Sequence, residues 1–176
     1  EIKCPKSRKI DGIIPIGYYY QIQGQLEVCD LEYCDFVECE FQLYSNKDDF
    51  FNDTSINNPL FNTKEQYKGI IIEIFDNKSK KTNYTYCSDE YITNITKYKE
   101  FESKIISTIL SSDTLELIGA SFWYLNKINI VLVKREREFF NKIFGKIKGF
   151  WDSVLYNRSN NCADIPDKLK LGLNKL

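Results

Sequence analysis

Glu1-Ile2-Lys3-Cys4-Pro5-Lys6-Ser7 opens the chain, and Tyr20-Gln21-Ile22-Gln23-Gly24-Gln25-Leu26 follows after a short loop. The first stretch reads as the end of a central strand, because Pro5 removes a backbone donor and stops the pairing. Side chains alternate along a strand, so Glu1 and Lys3 project from the same face. A carboxylate there can hold a divalent cation, and an ammonium can meet a phosphate or a water. Glu-x-Lys is also common on solvated strands, so the triplet decides nothing without its neighbours.

Working outward, Lys6-Ser7-Arg8-Lys9 with Asp11-Gly12 and Pro15 reads as a loop. Residues 17–29 fit a helix with Tyr18, Gln21 and Gln25 on one face and Tyr19, Ile22 and Leu26 on an adjoining, sheet-facing one. Residues 33–41 read as a largely buried strand, and 42–68 as an irregular excursion. Residues 69–75 and 81–87 bracket Asp76-Asn77-Lys78-Ser79-Lys80 in a hairpin pattern. Residues 89–110 carry Tyr91, Ile95, Tyr98, Phe101, Ile105 and Ile109 at helical spacing. The stretch 42–113 therefore reads as an insertion of hairpin plus helix. Two apolar strands, 115–125 and 128–134, are expected on either side of a turn at Asn126-Lys127. A last helix, 135–156, shows a continuous apolar stripe that includes Phe139, Ile143, Phe144, Ile147, Phe150 and Trp151, with Lys142, Lys146 and Lys148 opposite. Such a basic amphipathic helix can lie on a membrane, but packing on the sheet is the expected fate. Residues 157–176 read as a polar tail or linker.

The chain has 176 residues, enough for one domain with a substantial core. A formal charge of −1 gives no bulk attraction to nucleic acid, so any such contact must be local. The chain contains 6 cysteines and no histidine, and Cys29, Cys34 and Cys39 lack the close pair of a zinc site, so buried free thiols are expected. With no methionine, the chain is expected to be a fragment of a larger protein. No run of about 18 apolar residues and no signal pattern appears, which predicts an intracellular protein without a membrane partner. Sequons beginning at Asn52, Asn77, Asn83, Asn94 and Asn157 are explained by the abundance of asparagine.

The order Glu-Ile-Lys-Cys-Pro, loop, Tyr-Gln-Ile-Gln-Gly-Gln-Leu, then Glu32-Tyr33-Cys34-Asp35-Phe36-Val37 resembles the YqaJ-like viral recombinases, which include lambda exonuclease and belong to the PD-(D/E)xK nucleases. The resemblance resumes at Trp123-Tyr124-Leu125, Val131-Leu132-Val133-Lys134-Arg135, Glu138-Phe139-Phe140 and Phe150-Trp151, and covers residues 1–41 and 114–156. It implies an α/β (α+β) fold of restriction-endonuclease type, a mixed sheet flanked by helices. Residues 1–156 would be the C-terminal part of the nuclease domain, interrupted at 42–113. The implied activity is a magnesium- or manganese-dependent DNA exonuclease serving viral recombination or repair. Glu1, Lys3 and Gln21 would be catalytic, and Glu1 with the Ile2 carbonyl would hold Mg2+ (or Mn2+). The family's other metal-binding aspartate lies on the preceding strand, so the segment by itself is expected to be inactive. Implied partners are double-stranded DNA ends, further copies of the chain and a single-strand annealing protein, in the cytoplasm or nucleus of a host cell. Lys6, Arg8 and Lys9 read as phosphate contacts or, equally, as solvated loop charges.

Two other readings stand beside this one. The segment can be a non-catalytic DNA-binding or assembly module with a degenerate or truncated nuclease fold. A CRISPR-associated RecB-type nuclease shares the Glu-x-Lys and glutamine features, but the cysteine spacing does not support its four-cysteine iron–sulfur site.

Overall fold

A computed structural model describes residues 1–160. The elements in chain order are β1 (Ile2–Lys3), α1 (Ile16–Cys29), β2 (Tyr33–Leu43), α2 (Lys47–Asn52), β3 (Lys68–Asp76), β4 (Lys81–Tyr86), α3 (Asp89–Ile92), α4 (Ile95–Leu110), β5 (Leu115–Lys134) and α5 (Arg137–Ser159). The protein is α+β, with a five-stranded sheet ordered β1-β2-β5-β3-β4. The sheet is mixed, because β1 runs parallel to β2 while β3 is antiparallel to both β4 and β5. Among the described strands β1 is an edge, not the central strand the sequence suggests.

Two compact units emerge. Among the described residues, the first comprises Glu1, residues 14–35 and residues 132–160; the second comprises residues 2–13 and 36–131.

The second unit holds the aromatic core. Along β3, Lys68, Ile70, Ile72 and Ile74 are buried on one side, where they meet Phe50 of α2, Ile92 of α3, and Tyr98 and Phe101 of α4. Each large apolar side chain fully withdrawn from water contributes roughly 1.5–3 kcal/mol. Rings pack edge-on or tilted: Phe50 lies 5.0 Å from Phe51 and 5.6 Å from Phe122, and Tyr98 lies 5.9 Å from Phe122. The expected insertion thus carries the core of its unit.

Lys68 is fully buried, and its ammonium donates to Phe50 O at 2.6 Å, Asp53 O at 2.7 Å and Thr54 Oγ1 at 2.7 Å. Three acceptors satisfy its three protons, and the carbonyls lie at the C-terminal end of α2, where a cation is favoured.

Two expected elements differ. The helix expected over 89–110 breaks at Thr93-Asn94, because Asn94 turns extended and its side chain accepts from Lys97 N, capping a new helix. The expected pair of strands is one strand, β5, of 20 residues. No turn forms at Asn126-Lys127, since Asn126 bonds sideways to Glu40 and Lys127 to the Ile10 carbonyl.

In the first unit, α1 buries Ile22, Gln23 and Leu26. It ends at Asp30 in the left-handed region (φ 50°), and the Leu31 amide closes onto the Leu26 carbonyl at 3.0 Å. Arg135 holds this end: it grips Glu27 through two bonds of 2.9 and 2.6 Å and Asp30 at 2.7 Å. These bonds hold both carboxyls below their usual range and raise the guanidinium. The stripe of α5 is not packed away as the sequence suggests. No residue of α5 is buried, Phe150 is 70% exposed, and Phe139 is the ring that meets α1, lying 5.1 Å from Tyr19.

The thiols of Cys4, Cys29, Cys34, Cys39 and Cys87 are free, but Cys87 alone among them is buried. Cys162 and the expected tail beyond residue 160 lie outside the described residues.

Candidate functional site

Within the first unit, Glu1 is held at both ends. Its α-amino group donates to the Asp35 carbonyl at 2.9 Å and reaches Cys34 Sγ at 3.5 Å. Its carboxylate Oε2 accepts the side-chain amide of Gln25 at 2.8 Å. The neutral amide donates without adding charge and fixes one oxygen of the carboxylate. Gln21 lies one turn earlier on α1 and is exposed. The resemblance points to Gln21, whereas the glutamine on the carboxylate is Gln25, four residues on along the same helix face.

The third glutamine of this helix has a structural role. Gln23 is fully buried, donating to the Lys134 carbonyl at 2.9 Å and accepting the Glu136 amide at 2.8 Å. It satisfies backbone groups where β5 passes into α5. Tyr20 lies 5.2 Å from Phe139 and is 44% exposed.

Within the second unit, Ile2 and Lys3 form β1 in parallel register with β2, Ile2 opposite Val37 and Lys3 opposite Glu38. Residues 4–13 then fold over the sheet, with Ile10 buried. Arg8 ties this loop down: its guanidinium forms an ion pair with the fully buried Glu38 and bonds the Lys9 carbonyl at 3.3 Å. Asn129 donates to the other oxygen of Glu38 at 3.3 Å. Of the three loop cations read as phosphate contacts or solvated charges, Arg8 is engaged by Glu38, whereas Lys6 and Lys9 are exposed.

The loop encloses a cleft of about 400 Å³ between residues 4–9 and residues 39–42 of β2. Cys4 and Cys39 both line it, and burial followed by the neighbouring Cys4 raises the Cys39 thiol.

Among the described residues no three His, Cys, Asp or Glu side chains gather as a metal cluster. The Glu1 carboxylate is a donor of the kind magnesium takes, since that ion keeps several waters and binds through one or two carboxylates plus substrate phosphate. No described helix is long and apolar enough to cross a membrane.

No family model matches the chain. An uncharacterized protein of Acanthamoeba polyphaga mimivirus is similar to it, 31% identical over 193 residues that take in 96% of this chain and 34% of the relative. The chain thus spans about a third of the length of the curated relative it matches.

Proposed function

We propose that the chain is part of a metal-dependent deoxyribonuclease of the PD-(D/E)xK type, acting at the ends of duplex DNA in recombination or repair for a large virus. The observation that carries this reading is Glu-x-Lys at a strand that pairs in parallel with β2, with α1 as the connection and one of its glutamines on the Glu1 carboxylate. The likeness to a giant-virus protein agrees with a viral role.

Glu1, oriented by Gln25, and the Ile2 carbonyl would hold Mg2+ or Mn2+ together with water, phosphate oxygen and a further carboxylate. The ion would make its bound water a better nucleophile and neutralise phosphoryl charge. Lys3 orients the attacking water and offsets charge developing on the phosphoryl oxygens. Gln21 supplies a second amide on the same helix face for a phosphate oxygen or water. Lys6 and Lys9 meet the backbone phosphates beside the cleft. The reading implies an intracellular enzyme in the host cytoplasm or nucleus, further copies of the chain and an annealing protein as partners.

The test is magnesium-dependent digestion of linear duplex DNA by the full-length protein. Glu1→Ala and Lys3→Ala should each lower the rate by about 10²–10⁴-fold while circular dichroism stays unchanged. Undiminished digestion by both variants overturns the reading. Binding of DNA without digestion by wild type would favour a non-catalytic module.

A further inference from the structure

We infer that the side of the sheet turned away from the aromatic core, all within the second unit, is a binding surface for an unpaired nucleic-acid strand. Its bases would stack on Tyr84, Tyr86, Phe41 and Trp123, and its phosphates would lie toward the Lys6–Lys9 loop.

The registers fix what this face displays. Ile71 lies opposite Tyr86 on β4 and Ser121 on β5, and Glu73 lies opposite Tyr84 and Gly119. These rows combine exposed rings with small residues, Tyr86 being 69% and Tyr84 57% exposed. A Cβ at Gly119 would meet nothing within 4 Å, so the floor between the rings is open.

Gly69 lies opposite Trp123 and leaves the space that the indole occupies: a Cβ there would fall 2.4 Å from Cζ2. Phe41 stands edge-on against this indole at 5.1 Å. Together with Leu43, Ile71, Tyr86 and Ser121 these two rings line a depression of about 440 Å³.

Phe41 also lines the cleft under residues 4–9, whose charged lining is Lys6, Lys9, the Glu38-paired Arg8 and Glu40, so the ring-lined depression and the Lys6–Lys9 loop share a wall. The floor carries Leu43 and Ile71 beside the rings, so what sets a nucleic-acid strand apart from an aliphatic protein partner as its occupant is the lysine-bearing rim. A nucleic-acid strand finds π faces, which every base can use, beside a cationic rim. Glu73 places a negative charge in the row away from the loop, which sets the phosphates on the lysine side.

This surface is independent of hydrolysis and is tested without metal. Fluorescence anisotropy of labelled oligo-dT titrated with the full chain in EDTA should report binding that weakens with salt. Tyr86→Ala and Tyr84→Ala, both at exposed positions, should each weaken binding about 5- to 100-fold. Lys6→Ala with Lys9→Ala should flatten the salt dependence, and Glu1→Ala should bind like wild type. The inference is overturned by absent binding, by equal affinity of the tyrosine variants, or by equal affinity for duplex DNA of the same length. Loss of digestion by Glu1→Ala with oligo-dT binding intact would separate this surface from the hydrolytic site.

Discussion

The side-chain amide of Gln25 donates to Oε2 of Glu1 at 2.8 Å, across 24 positions of sequence. This bond fixes the rotamer of the single carboxylate that the proposed metal site draws from the described chain. Partners that orient a ligand typically matter about 10- to 100-fold in metal affinity or activity. Gln25→Ala in the full-length protein should therefore weaken Mn2+ binding, followed by its paramagnetic resonance signal, by that order. Unchanged affinity would mean that Glu1 needs no such orientation.

Arg8 and Glu38 form the ion pair that holds the loop on the sheet, and Glu38 is fully buried. Removing Arg8 leaves the Glu38 charge without compensation; because the guanidinium is 33% exposed and screened by solvent, the cost lies at or below the lower end of the about 3–5 kcal/mol of a fully buried pair. Arg8→Ala should lower stability in urea by that order. Adding Glu38→Gln should recover part of the loss, because the orphaned charge is then gone while Asn129 keeps an acceptor.

Lys68 predicts a pH dependence. Burial pushes its ammonium down to about 8, opposed by the nearby Asp53 carboxylate. A lysine in the unfolded chain titrates near ~10.4. Below pH 8 both states are protonated and the contribution is flat. From there to ~10.4 the unfolded chain holds the proton that the folded chain has released, so stability rises with pH. Wild type should therefore gain on Lys68→Met across this interval in urea titrations. A constant gap would show that the ammonium keeps its ordinary affinity when buried.

Gly69→Ala places its methyl carbon 2.4 Å from Trp123 Cζ2, so the indole must leave its seat. Overpacking of this kind costs about 1–3 kcal/mol. The variant should melt earlier, and its tryptophan emission should shift to longer wavelength as the ring enters water. A variant with unaltered emission would show that the strand, not the ring, gives way.

Local patterns were legible in the chain. Isoleucine at 70, 72 and 74 announces a strand with one buried side, the run from Ile16 to Cys29 announces a helix, and Asp76–Lys80 announces the hairpin. These follow from side-chain period and turn chemistry, which act over a few residues. Tertiary structure alone decided which glutamine meets Glu1, that Arg8 joins Glu38 across 30 positions, and that Asn126 and Lys127 remain in one strand. A buried carboxylate needs whichever cation folding brings to it, and extended backbone at 126–127 persists because both side chains find partners far along the chain. The α5 stripe makes the same point in reverse: the sequence specifies an apolar face, and only the folded arrangement determines whether anything covers it.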